Sequence, residues 1–228
     1  MGQCCGSTNL LNAEEYICSI FKNDHLILVN YNYNRLLNLI VKYRIQQEIR
    51  KKEIISEIIP KLYDHSEDNK FLKYHTAFFD EIISQLNENN NYYSVILYLY
   101  PFINHEDENI EKTLSNLFKY TCPNLTKYML AITLEKYINF YTNTLTKIVF
   151  EKENENDMKS YLEDLYTIYS KDNIKKYTNS IIEPIKKKYG NNEIISLKDC
   201  EDILIPFQLG LFQNSRLLIL NQIIEKQE

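Results

Sequence analysis

Apolar residues recur every three or four positions over most of this chain. The clearest series is Phe71, His75, Phe78, Phe79, Ile82, Ile83 and Leu86, whose spacing predicts one amphipathic helix. Leu37, Val41, Ile45 and Ile49 lie four apart and continue into Ile55 and Ile59, predicting a helix that ends at Pro60. Leu130, Leu134, Tyr137, Tyr141, Leu145 and Ile148 make a third stripe, with Pro123 in the first turn, where its missing amide costs nothing. The aromatic residues in that stripe read as core. Further helices are expected over Ile110–Phe118, Met158–Tyr169, Ile174–Ile185, Leu197–Phe212 and Arg216–Glu225. At the N-terminus Asn12 is expected to cap a short helix to about Lys22, with Glu15 reaching back to it. Tyr92–Phe102 fits a buried helix or a strand and is read as helix. No window alternates with a period of two between turn residues, so the expectation is an all-α fold, nine or ten helices in a compact bundle.

Composition agrees with this pattern. The chain has 228 residues, 44% hydrophobic and 25% charged, which fits a globular protein with a core that needs no disulfide or metal. Four Gly and five Pro allow few tight turns and disfavour sandwiches and barrels. The longest apolar run, Val95–Phe102, is far short of a membrane span and contains Pro101. The expected organisation is an N-terminal anchor at residues 1–11 and a single helical domain at 12–228, with lobes of about 12–121 and 122–228 as an alternative.

Glycines at 2, 6, 190 and 210 cannot form a phosphate-cradling loop. His25, His65, His75 and His105 stand apart without metal-ligand spacing, and His75 on an apolar face reads as a hydrogen-bonded core residue. Cys122 and Cys200 carry no local mark of a nucleophile, and five scattered cysteines without a secretory leader suit the reducing cytosol. A pI near 5.5 lacks the electrostatic footprint of a nucleic-acid binder. The expectation is therefore a protein that is no enzyme and carries no cofactor.

The first seven residues, Met1 to Ser7, carry the sharpest signal. Removal of Met1 exposes Gly2, whose amine accepts myristate, and the adjacent Cys4 and Cys5 offer sites for a second acyl chain. One myristoyl chain holds a protein only marginally, whereas two acyl chains hold it stably. The arrangement resembles dually acylated proteins of protist membranes. It departs from the strict myristoylation pattern in having Gly6 where Ser or Thr is usual, with Ser7 one place late. A frayed terminus with incidental cysteines is the competing reading. Residues 1–63 carry eight Lys and Arg against six Asp and Glu, a net of +2 in a chain of −5, so the remainder carries −7. This asymmetry suits a headgroup-facing end, although a solvated helix face accounts for it better.

Three polar loops between expected helices resemble EF-hands. From Asp64, oxygen side chains fall at loop positions 1, 3 and 5 (Asp64, Ser66, Asp68), Phe71 takes position 8, and His75 stands where a bidentate Glu belongs. From Glu151 the acidic positions are Glu151, Glu153 and Glu155, with Met158 at position 8 and Leu162 at the close. From Lys188 the loop opens on an ammonium, has Gly190 third, Ile195 eighth and Asp199 last. Together with the N-terminus these loops resemble a divergent member of the myristoylated EF-hand calcium-sensor family with degenerate loops. The competing reading is a helical bundle of no named family. The expected function is a membrane-tethered, non-enzymatic adaptor or scaffold on the cytoplasmic face of a plasma or ciliary membrane. It would take a protein partner presenting a helix in a hydrophobic groove, and no nucleic acid. The alternative is a calcium-responsive sensor at a membrane.

Overall fold

A computed structural model of the chain describes residues 3–21, 48–91, 134–189 and 212–225. These residues are predominantly helical. Helix α1 is Gln3–Phe21. Strand β1, Glu48–Arg50, precedes helix α2, which is α-helical over Lys51–Glu53, π-helical over Ile54–Ile58 and 3-10 over Ile59–Lys61. Helix α3, Leu72–Gln85, is followed by strand β2, Asn89–Asn91. Helix α4 is α-helical over 134–139, widens to a π-turn at Phe140–Thr144, and returns to α-helix over Leu145–Lys152. Helices α5 (Asn156–Ile168), α6 (Lys171–Tyr189) and α7 (Phe212–Ile224) complete the described chain. The described residues thus hold seven helices. The helices expected at 37–47, 92–102, 110–118 and 197–211 lie outside the described residues.

Two of the three stripes read from sequence are buried over most of their described positions, whereas Ile55 of the third is exposed. In α3, Tyr74, His75, Phe78, Phe79 and Ile82 face inward at steps of three and four. In α4, Leu134, Tyr137, Tyr141, Leu145 and Ile148 do the same. Each fully buried large apolar side chain contributes on the order of 1.5–3 kcal/mol. Phe78 is the hub of the aromatic cluster, with Phe21 at 5.4 Å, Phe79 at 4.8 Å and Phe140 at 5.9 Å between ring centroids. The tilted and edge-on geometries of these pairs are the ones the ring quadrupole favours.

Two expected boundaries are corrected. Asn12 is no cap: α1 begins at Gln3, and Asn12 is an exposed residue in its middle. Leu10 packs against the core alongside Ala13 and Ile17, so the apolar face that stabilises the helix starts before Asn12. The helix expected through Ile49 to Pro60 is broken at β1. Glu48, Ile49 and Arg50 pair antiparallel with Asn91, Asn90 and Asn89, and the Lys51 amide donates to the Glu88 carbonyl at 2.8 Å. Ile49 is buried in the ribbon, so its four-residue step from Ile45 reflects burial in a strand rather than a helical face. The ribbon closes the base of the α2–α3 hairpin.

Helix α1 packs on α4, α5 and α7, while α3 packs on α4. Residues from both sides of position 121 therefore share one continuous core. Helix α1 also crosses the boundary expected between anchor and domain at residue 11. Among the described residues no helix is long and apolar enough to cross a membrane.

Candidate functional site

Two buried polar clusters fasten α1 to the rest of the molecule. The first centres on Arg216 of α7, which is fully buried with Glu14 of α1. Its Nε donates to Glu14 Oε2 at 2.7 Å and its Nη2 to Glu14 Oε1 at 3.0 Å, a bidentate pairing. The same Nη2 donates to Thr146 Oγ1 at 2.8 Å, and Nη1 donates to the carbonyls of Tyr141 and, at 3.3 Å, Thr142. Five N–H donors thus meet five acceptors, the condition under which a guanidinium can sit in a core. The π-turn at Phe140–Thr144 supplies two of those acceptors, because the widened turn presents carbonyls that a regular helix keeps for its own ladder.

Tyr169 completes this cluster. Its hydroxyl donates to Glu14 Oε1 at 2.6 Å and lies 3.0 Å from the Arg216 carbonyl, while the guanidinium stands 5.1 Å from its ring centroid. Burial, and then the Glu14 carboxylate, push the Tyr169 hydroxyl well above its ordinary range. For Arg216 burial acts downward, but the Glu14 charge outweighs it and the guanidinium is raised.

The second cluster is built on Glu153, in the three-residue break between α4 and α5. Oε2 accepts from the hydroxyls of Tyr16 (α1) and, at 2.9 Å, Tyr74 (α3). Oε1 accepts from the amides of Asn154 at 2.7 Å and Glu155 at 3.0 Å, which holds the break between α4 and α5 in place. Lys73 Nζ donates to the Lys152 carbonyl at 2.9 Å and satisfies the end of α4. Burial alone would push the Glu153 carboxyl up, yet the four donors together hold it down to about 2. The Tyr16 hydroxyl is pushed up to about 12 by burial and by the bond to Glu153, so it stays a donor at neutral pH.

An acid-stability prediction arises from Glu153. The free carboxyl titrates at 4.5 and the folded one at about 2, so the stabilisation is complete above 4.5 and is lost as pH falls toward 2. Glu153→Gln should cost about 1–3 kcal/mol at pH 7, because an amide cannot accept from both tyrosines and both backbone amides. That cost should shrink steadily between pH 4.5 and 2, as read by urea unfolding across the range. A penalty independent of pH would show that the carboxylate charge is not what the cluster uses.

The EF-hand-like positions resolve into local roles. Asp64 accepts from the Ser66 amide at 2.9 Å and its hydroxyl at 2.8 Å, the geometry of an Asx turn, and Asp68 is exposed. His75 lies in α3 and is fully buried: its Nε2–H donates to the Ile20 carbonyl at 2.9 Å, and Nδ1 accepts from Asn69 at 3.3 Å. It is the core histidine expected. Glu151 is inside α4 and pairs with Lys147 at 3.6 Å, Leu162 is core, and Glu155 precedes α5 as an exposed residue. Lys188 is inside α6, which runs to Tyr189. Asp199, Cys122, Cys200, His25, His105 and Gly2 lie outside the described residues. Cys4 and Cys5 are in the first turn of α1. Among the described residues no three His, Cys, Asp or Glu side chains converge as a metal site.

One cleft of about 370 Å³ is lined by Glu135, Lys136, Asn139, Lys171 and Ile174, between α4 and the start of α6. The buried Asn139 Oδ1 accepts no hydrogen bond.

No family model, curated protein or solved structure matches this chain.

Sequence reading missed both clusters, since Glu14 and Arg216 are 202 positions apart and Tyr74 and Glu153 are 79 apart. The available signal was an arginine at a position where the neighbouring Leu217 to Leu220 predict an apolar helix, and an early glutamate between Ala13 and Ile17.

Proposed function

We propose that this protein is a membrane-tethered, non-enzymatic helical adaptor or scaffold. It would be held at the cytoplasmic face of a membrane by acyl chains on Gly2 and on Cys4 or Cys5. One observation carries the reading: Cys4 and Cys5, next to Gly2, lie in the first turn of α1, and α1 is the helix that both buried clusters fasten to the core. An anchor on such a helix fixes the body relative to the bilayer, which is what a scaffold that presents a surface requires. The complete bundle is proposed to hold nine or ten helices. The partner is proposed to be a protein that presents a helix to one of its apolar faces. Intact mass spectrometry of the chain from eukaryotic cells tests the reading. Loss of Met1 with added myristoyl and palmitoyl masses is expected, and an unmodified Gly2 amine with free Cys4 and Cys5 overturns it.

A calcium-responsive sensor of degenerate EF-hand kinship is the competing proposal, and the ligand oxygens weigh against it. An EF-hand needs a carboxylate at position 12 to close its coordination, and the loops opening at Asp64 and Glu151 offer there a buried imidazole and the core Leu162. Calorimetric titration should give no dissociation constant below about 10 μM, near the weak limit of intracellular sensors. Tighter binding, with a change in circular dichroism, would favour the sensor.

A further inference from the structure

We infer that His75 is an acid-operated latch: in its neutral form it holds the last turn of α1 to the segment from Asp64 to Leu72, and a second proton releases both. This goes beyond the tethering reading and does not depend on it.

The neighbours of His75 dictate where its proton sits. Ile20 is in the last turn of α1, where carbonyls run out of helical amides, and its carbonyl can only accept. The facing Nε2, at 2.9 Å, therefore carries a hydrogen. The Asn69 amide is oriented independently of the ring: Oδ1 accepts from the Phe71 amide at 3.0 Å, and Nδ2 donates to the Asp64 carbonyl at 2.9 Å. Turned over, it would set N–H against N–H and oxygen against oxygen. Nδ2 is thus the group 3.3 Å from His75 Nδ1, and that nitrogen must be the acceptor. The ring is the neutral Nε2–H tautomer in a fully buried position.

A second proton would sit on Nδ1 and oppose the Asn69 N–H. Asn69 cannot turn its oxygen to meet it without losing the Phe71 amide and the Asp64 carbonyl together. The rings of Phe21, Tyr63 and Phe71, centred 6.0 to 6.3 Å from the imidazole, offer a cation little in place of water. Charge on the elements around it is mixed. The Lys70 and Lys73 ammonium groups stand over the rings of Phe71 and Tyr74, and His65 lies against Tyr63. The Asp64 carboxylate accepts from the Ser66 amide and hydroxyl, and that of Glu153 from Tyr16 and Tyr74. The C-terminal dipole of α1 favours a cation, but weakly against the cost of bringing an ion into the core. The proton is therefore taken up as the segment opens, and opening frees the Ile20 carbonyl.

Glu14 with Arg216, Tyr16 with Glu153 and the Ile20 carbonyl with His75 fasten α1 to the core. Glu153 gives way only between pH 4.5 and about 2, and the Arg216 guanidinium is raised. Of these three fastenings, His75 is the one that yields just below neutral pH, since free imidazole takes up its proton at about 6.5. Below that value the opened chain binds one proton more than the closed chain, so stability present above it is lost as pH falls.

Hydrogen exchange of the full chain tests the latch. The Phe71 amide, bonded to Asn69 Oδ1, and the Leu72 amide, bonded to the Asn69 carbonyl, report the segment. Their protection, corrected for the intrinsic rate, is expected to fall by up to roughly 25-fold between pH 7 and pH 5, the one-proton limit for a free group titrating at about 6.5. The amides of α4 should lose less. In His75→Gln, whose amide can donate to Ile20 but takes no proton, the two reporters should be equally protected at both pH values. No loss in the natural chain, or the same loss in His75→Gln, overturns the inference. If His75→Gln does not fold, nitrogen-15 NMR of the natural chain with labelled histidine decides instead. A His75 ring that stays in the neutral Nε2–H form at pH 6 in the folded chain is the expected result, and an imidazolium or an Nδ1–H tautomer there overturns it.

Discussion

Arg216→Met is expected to destabilise the folded chain by about 3–5 kcal/mol, because it leaves the Glu14 carboxylate buried without its cation. The loss exceeds that of one salt bridge, since the guanidinium also serves the Tyr141 and Thr142 carbonyls and Thr146 Oγ1. The paired change Glu14→Leu with Arg216→Met should recover a large part of it, as replacing both members of a buried ion pair by apolar groups is often near neutral. Urea unfolding followed by circular dichroism reads all three. A single variant within about 1 kcal/mol of the natural protein would place the pair at the surface range of ion-pair strength and remove α7 as the lock on α1.

Cys4→Ser combined with Cys5→Ser is expected to convert stable membrane association into a weak, exchanging one. A lone myristoyl chain gives an association constant of only about 10⁴ M⁻¹, and each buried methylene of a second chain adds about 0.8 kcal/mol. Flotation of the full-length chain with cell membranes should lose most of the bound fraction in the double variant and retain part of it in each single one. Unchanged flotation would assign the holding to another part of the chain. An unaltered unfolding curve of the double variant separates this effect from destabilisation.

The two experiments address opposite ends of one mechanical link. The cysteines are where the membrane would hold the molecule, and Arg216 is where the molecule holds the helix that carries them. Loosening Arg216 while keeping the acyl chains should leave the chain on the membrane with α1 less firmly docked, a condition that amide exchange along α1 would report.

Local periodicity settled much of this protein. Leu72–Gln85 is a helix with His75, Phe78, Phe79 and Ile82 of the expected face buried, and Leu134 to Ile148 lies in another with its expected face buried, because a three-and-four repeat of large apolar residues has one good way to leave water. His75 was legible as a core residue for the same reason: its neighbours at Phe78, Phe79 and Ile82 define the face it shares. Acylation at Gly2, Cys4 and Cys5 remains a proposal drawn from a short stretch of chain. Tertiary contacts decided what local pattern could not. Ile49 carries the right spacing for a helix, yet cross-strand pairing with Asn90 captures it. Asn12 has cap chemistry, yet the packing of Leu10 and Ala13 carries the helix past it. Glu153 looked like a loop oxygen open to a cation, and two tyrosines distant in sequence turn it inward. Glu14 and Arg216 look like ordinary surface charges until the fold brings α1 against α7, because the free energy of a buried charge depends on partners that sequence spacing does not encode.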